Sequence, residues 1–333
     1  MSNAKNHHLI PKTYMKSWLT RKEKLLVKYC DEYDIVYEEK RENVGGIKHY
    51  YSIMAGMPIC NEKDAELIFA EALKYTVSLN GTILPTPLDL NKHFGDFDNW
   101  VVTRADGSMV SKKKIKREIE KVKIRDIEEN WNIKYENKWE GMVRRIITLV
   151  KYARNGPIEA FDKAYLMNFF TALDWRGFTS DVRFERIFHT LTDAFDDSDI
   201  PEDERLLPCL TSSKEELRHY LLLQYYRQYL QDTGPIYNNA VDNLSKTNFH
   251  FYVADGSARF ITSDSPAFLH RRMDGFWEGI LPITPEILMV QGKCANQSDM
   301  DSYYVSHVND SEVEKFNQAV SENATEFIIL PPE

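Results

Sequence analysis

Two stretches carry the residues on which chemistry would rest. Near the start, "HHLIP" places His7 and His8 shortly before Pro11. An imidazole titrates near neutral pH and serves as base, proton donor or metal ligand. Near the other end, "RFITSDSPAF" sets Asp264 between Ser263 and Ser265, directly before Pro266. A strand over 259–263 would deliver that carboxylate at its tip, rigidly held and open to a ligand. There Asp264 would ligate a divalent cation, or orient His8 in the neutral tautomer suited to a base. The same residues have a plainer reading. Asp264 before proline suits a turn in which it accepts local backbone N–H groups. His8 suits a hydrogen-bonded position where the N-terminal segment enters the core.

Around this pair stand weaker candidates. Glu66 and Glu71 lie five apart on an expected helix, too far round to share one ion without distortion. Arg176, in "LDWRGF" at a helix end, would bind an anion or pair near Asp174. Lys112, Lys113 and Lys114 oppose the dipole of the helix they begin, and would either meet phosphate or form a solvated face. Phosphate loops, dinucleotide fingerprints, zinc-protease pairs and nucleophile elbows are all missing from the sequence. The opening "HHLIP" looks like the first block of His-Asn-His nucleases, but the following "KTYMKSWLTRK" supplies neither the Asn nor the second His.

Composition narrows the classes further. The formal net charge of −9 gives no long-range pull on DNA or RNA, although a local basic face can still provide one. Cys30, Cys60, Cys209 and Cys294 are widely spaced and suit reduced, buried thiols rather than a zinc ribbon or a disulfide framework. No run approaches the roughly 18 apolar residues of a membrane span, and the first thirty residues hold no apolar signal core. A cytoplasmic protein without a membrane partner is the expectation.

The elements that must hold these residues follow from periodicity. Pro11 suits the first turn of a helix that buries Tyr14, Met15 and Trp18. "KLLVKYC" and "DIVYEE" read as a strand pair. Asn61 with Asp64 caps a helix expected to run to Asn80–Gly81, and 82–99 reads as a connector. "WVVTRADGSMV" is an Asp-Gly hairpin, and 111–154 is long helix or a helix pair. Pro157 is expected to start a helix ending at Gly177, and Ser180 or Asp181 to cap another through Phe195. Ser213 with Glu216 would cap a third, closed by Gly234–Pro235. "FHFYVADGSARFITSDSP" reads as a second hairpin, "PEILMVQ" as a strand, and the end as a capped helix feeding a strand. The expected fold is α+β, one domain over 1–333: a small, mainly antiparallel sheet built from both chain ends, with a helical middle (about 111–245) packed on it.

Taken together, the two motif stretches resemble the domain-of-unknown-function family 4238. Members open with His, an aromatic, Val or Ile, then Pro, matched here by His8, Leu9, Ile10 and Pro11, with Tyr14–Met15 and Ser17–Trp18 after them. The later Thr-Ser-Asp-Asn-Pro block resembles Thr262, Ser263, Asp264, Ser265 and Pro266; "LPITPEILMV" and "FFTALDWRGF" resemble two further elements. Departures are Leu9, Ser265 and Gly177. The resemblance spans about 5–330 and implies a shared single-domain fold with both ends brought together. It brings no reaction with it, and it singles out His8 over His7 by the offset to proline.

Two readings remain open. In one, the chain is a non-catalytic protein that binds a ligand, a protein or a nucleic acid, such as a component of a bacterial defence or mobile-element system, and His8 with Asp264 joins its two ends. In the other it is a metal-dependent hydrolase, nuclease-like, with His8, Asp264 and Glu66 as ligands to Mg²⁺, Mn²⁺ or Zn²⁺ and Arg176 holding phosphate.

Overall fold

A computed structural model of the chain describes residues 6–32, 35–177, 197–272, 274–293 and 301–332. β1 (Asn6–His8) leads through Pro11 into α1 (Lys12–Met15), which continues as a 3-10 turn over Lys16–Trp18; Tyr14, Met15 and Trp18 are fully buried. β2 (Lys24–Tyr29) and β3 (Tyr37–Lys40) form the expected pair, and β4 (Gly46–Lys48) returns to β1. Asn61 and Asp64 make the expected capping box on α2 (Glu62–Ile68), but the helix stops early. Asn80 and Gly81, with φ of 50° and 82°, instead turn β5 (Thr76–Leu79) into β6 (Thr82–Ile83). Asn-Gly is a strong two-residue hairpin signal, and it outweighs the helical spacing upstream. The supposed connector contains α3 (Pro87–Lys92), capped by Thr86 and Asp89. β7 (Trp100–Thr103) turns at Asp106–Gly107 to reach Met109, as the sequence indicates.

The stretch 111–154 is helical in pieces: α4 (Lys112–Lys121), α5 (Asp126–Trp131) and α6 (Asn137–Val150), the last two joined by a π-turn over Asn132–Glu136. Pro157 does not begin a helix. It lies in β8 (Gly156–Glu159), an edge strand, where proline is tolerated. α7 (Lys163–Arg176) ends at Gly177 as expected; the helix expected from Ser180 or Asp181 through Phe195 lies outside the described residues. α8 (Ser213–Leu230) is capped by Ser212 and Glu215, one residue before the expected box. Gly234–Pro235 opens α9 (Gly234–Leu244). β9 (Thr247–Ala254) and β10 (Thr262–Ser263) belong to different sheets, so Asp255–Gly256 joins two sheets and is not the expected hairpin. β11 (Phe268–Arg271), β12 (Trp277–Thr284), β13 (Ile287–Lys293) and β14 (Ser302–Val308) precede α10 (Asp310–Asn323), capped by Asn309 and Glu312, and β15 (Phe327–Leu330).

By their internal contacts these elements group into two units. The first draws on Met1–Lys48, Trp131–His189 and Gln228–Glu333, the second on His49–Asn130 and Thr190–Arg227. In the first, the chain ends meet in an antiparallel sheet of order β10-β15-β2-β3, with Phe327 opposite Tyr29 and Thr262 opposite Ile329. The fold is therefore α+β, with the small sheet built from both ends. The sequence did not show a larger sheet in the same unit, of order β11-β12-β13-β9-β14-β8, antiparallel except where β9 and β14 run parallel. Alternation along β9 sends Tyr252 to one face, where Ile280, Leu288 and Val290 pack with Val313 and Val320 of α10. Burying each such side chain stabilises by about 1.5–3 kcal/mol. Phe251 faces the other way, stacking on Phe161.

The second unit holds the antiparallel sheet β6-β5-β7 and an aromatic cluster of Phe69, Phe94, Phe97 and Trp100. Arg227 ties α2 to α5 there, donating to both Asp64 oxygens at 2.7 and 2.9 Å and to Asp126 at 2.6 Å. Among the described residues no helix is long and apolar enough to cross a membrane.

Candidate functional site

His8 ends β1, opposite Gly46, and its Nδ1 lies 3.1 Å from the Val44 carbonyl oxygen. A carbonyl only accepts, so Nδ1 carries the proton and Nε2 keeps its lone pair. Burial pushes the imidazole down to about 4; the Val44 bond opposes this, while the Lys12 and Arg176 cations add to it. His8 is therefore neutral at pH 7, in a tautomer set by a backbone carbonyl from the Gly-Gly loop.

Arg176, the last residue of α7, is 1% exposed. Its Nε and Nη2 donate to the His8 carbonyl oxygen at 3.0 and 2.6 Å, and its guanidinium carbon lies 4.6 Å from the Trp131 ring centroid. A delocalised cation over an indole face is well placed for a cation–π interaction. The next residue, Gly177, abuts the Thr-Ser-Asp-Ser-Pro loop: a Cβ there would stand 2.9 Å from Ser265 Oγ and 3.4 Å from Ser265 Cα.

Asp264 follows β10 and is 1% exposed. Its Oδ1 accepts the Thr325 N–H at 3.1 Å; its Oδ2 accepts Thr325 at 3.2 Å and Glu326 at 2.6 Å. Its own N–H donates to the Phe327 carbonyl at 3.1 Å. The carboxylate thus closes the turn from α10 into β15. Burial raises its pKa, and the Thr325 and Glu326 N–H groups work against that rise.

α1 seats the opening segment on the same loop. The Tyr14 hydroxyl donates to the Pro282 carbonyl at 2.6 Å and lies 2.8 Å from Thr262 Oγ1, whose proton then points back to Tyr14. Trp18 Nε1 reaches the Phe260 carbonyl at 3.4 Å. So the structure joins His8 to Arg176 directly, and Arg176's neighbour to Asp264's neighbour. Glu66 is exposed on α2, in the other unit. Among the described residues, no group of three or more His, Cys, Asp or Glu side chains is arranged to hold a metal ion. Nor do the three motif residues line the groove of about 650 Å³ beside α10, which is formed by Arg259, Ile261, Glu314, Asn317, Gln318 and Ser321 among others. Burial pushes the Cys60 thiol up to about 12, too high for a nucleophile at neutral pH.

Three partners escaped the sequence reading: Val44, Trp131, and the Thr325–Glu326 N–H pair. The first and last act through backbone groups, which no side-chain pattern marks. Nothing in the local sequence sets Trp131 apart from the other buried aromatics.

A family model described as "Protein of unknown function (DUF4238)" matches residues 6–333. Searches of curated proteins and of solved structures return no match.

Proposed function

The chain belongs to the DUF4238 family of proteins of unknown function, and we propose that it acts by binding a protein or nucleic-acid partner rather than by catalysis. The observation that carries this reading is the Asp264 carboxylate, both of whose oxygens accept backbone N–H groups of Thr325 and Glu326. A carboxylate used in this way is a turn closure. With Arg176 on the His8 carbonyl and Tyr14 against Thr262, it makes a clasp between the chain ends. We place the protein's work in the cytoplasm, a reducing compartment, where the Cys30, Cys60 and Cys209 thiols would persist.

A second reading, a metal-dependent hydrolase, draws on the neutral His8 ring with its Nε2 lone pair. There His8 and Asp264 ligate Mg²⁺, Mn²⁺ or Zn²⁺, and Arg176 holds phosphate. It requires Asp264 to give up the turn it closes. Thermal shift separates the two. A cation at a hundred times its Kd stabilises by about 2.7 kcal/mol, a rise of several degrees. On the binding reading none of the three cations does this, and Asp264→Asn melts lower than wild type with or without metal. A cation-specific rise that Asp264→Asn or His8→Asn abolishes, at unchanged metal-free stability, would overturn it.

A further inference from the structure

The chain is acidic overall, yet residues 112–121 carry six basic side chains and two acidic ones. In α4, Ile115 and Ile119 are buried at 1% and 0% exposure and fix which face meets the second unit's core. At 100° per residue, Lys113, Arg117 and Lys121 fall opposite that stripe, with Lys114 beside them, and all four are exposed. They are spaced about 6 Å apart along the axis for each four-residue step. Lys113 and Lys114 make no hydrogen bond or ion pair among the described residues. Arg117 and Lys121 share Glu118 at 3.5 and 2.8 Å, exposed pairs that solvent screens. Lys112 and Lys116 sit at the rim, on the Asp98 carbonyl and carboxylate. Glu120 is the one exposed acid on this face.

Helix stability does not account for the arrangement. Lysines in a first turn oppose the helix dipole, and α4 begins with three of them at Ser111, whose side chain makes no capping bond. The face also lacks the apolar anchors of a protein interface, whose core is depleted in lysine. Nucleic-acid interfaces are the opposite, polar and strongly positive, and their phosphate contacts come from Lys and Arg.

We propose that the exposed face of α4, formed by Lys113, Lys114, Arg117 and Lys121, docks the phosphate backbone of nucleic acid without reading its sequence. The proposal rests on the binding-protein reading and names its partner class.

The test is fluorescence anisotropy of a labelled 20-base-pair duplex of arbitrary sequence, titrated with the full chain. Four phosphate contacts give a log K against log salt slope of about −3.6, or roughly a hundredfold loss of affinity from 50 to 200 mM salt. K113Q/K114Q/R117Q, with circular dichroism and melting unchanged, should weaken binding at least tenfold at 50 mM salt and flatten the slope by about 2.7. Three results would overturn the proposal. One is no saturable binding at 50 mM salt, and another is equal affinity in the triple variant. The third is displacement of the duplex by poly-glutamate at equal charge, which assigns the face to an acidic protein. Each leaves the binding reading standing, because only a cation-specific stabilisation defeats that.

Discussion

Replacing Arg176 with lysine keeps the charge and removes the geometry. The guanidinium gives two convergent N–H groups to the His8 carbonyl, at 3.0 and 2.6 Å, and lies 4.6 Å from the Trp131 ring centroid. A hydrogen bond from a charged donor contributes about 1.5–3 kcal/mol, and a lysine ammonium can replace one of the two at most. The cation–π contact, desolvated here, contributes about 2 kcal/mol or more, part of which lysine loses with the planar fork. Arg176→Lys should therefore cost about 3 kcal/mol. For a unit of some 200 residues, that lowers the melting temperature by about 6–12 °C. Urea titration followed in parallel by tryptophan fluorescence and circular dichroism measures it directly. A midpoint shift equivalent to less than about 0.5 kcal/mol would refute the clasp reasoning. It would release Arg176 for a role on substrate.

Acid should weaken the fold in a defined window. Burial holds His8 and His219 down to about 4, whereas an unfolded imidazole takes its proton near 6.5. The stability each contributes is present above about pH 6.5 and is lost as pH falls toward 4, at up to roughly 1.4 kcal/mol per pH unit and less for His8, which solvent partly screens. Asp264 works in the opposite direction, since its raised pKa favours the folded state as pH falls through the carboxylate range. His8→Asn, whose amide still donates to Val44, should flatten the pH 5–7 slope of the urea midpoint; an unchanged slope excludes His8 as a source. Tyr14→Phe removes the Tyr14 hydroxyl from the buried Pro282 carbonyl and the fully buried Thr262 hydroxyl. It should cost about 1–3 kcal/mol by the same titration, and a loss below about 0.5 would mean that the contact does not hold α1 in place.

Legibility in the sequence followed the range over which each signal acts. The capping box at Asn61 and the Asp106–Gly107 turn were readable because their partners lie within three residues. Asn80–Gly81 was misassigned because the same dipeptide ends helices and turns hairpins, and tertiary pairing with β7 decides between them. Asp255–Gly256 failed for a similar reason: the strands around it pair elsewhere. The joining of the chain ends was legible, since strands at both termini need a common sheet. At the candidate site, the choice of His8, Arg176 and Asp264 picked out buried, connected residues. The backbone partners of His8 and Asp264 stayed hidden because they are carbonyl and amide groups of ordinary residues 36 to 62 positions away.

β15 sits inside the four-stranded sheet, between β10 and β2, and not at its edge. A nascent chain therefore makes the β2–β3 hairpin early and must hold it for some 300 residues of synthesis before its neighbour exists. Closing a loop of that length costs about 5 kcal/mol in chain entropy beyond a constant. Until residues 327–330 emerge, β2 presents an unpaired edge, the template on which strands of other chains add. β2 is thus made long before the strand that secures it. Expression slowed before residue 327, or release short of Leu330, should send this protein to chaperones or aggregates rather than to a shortened native fold.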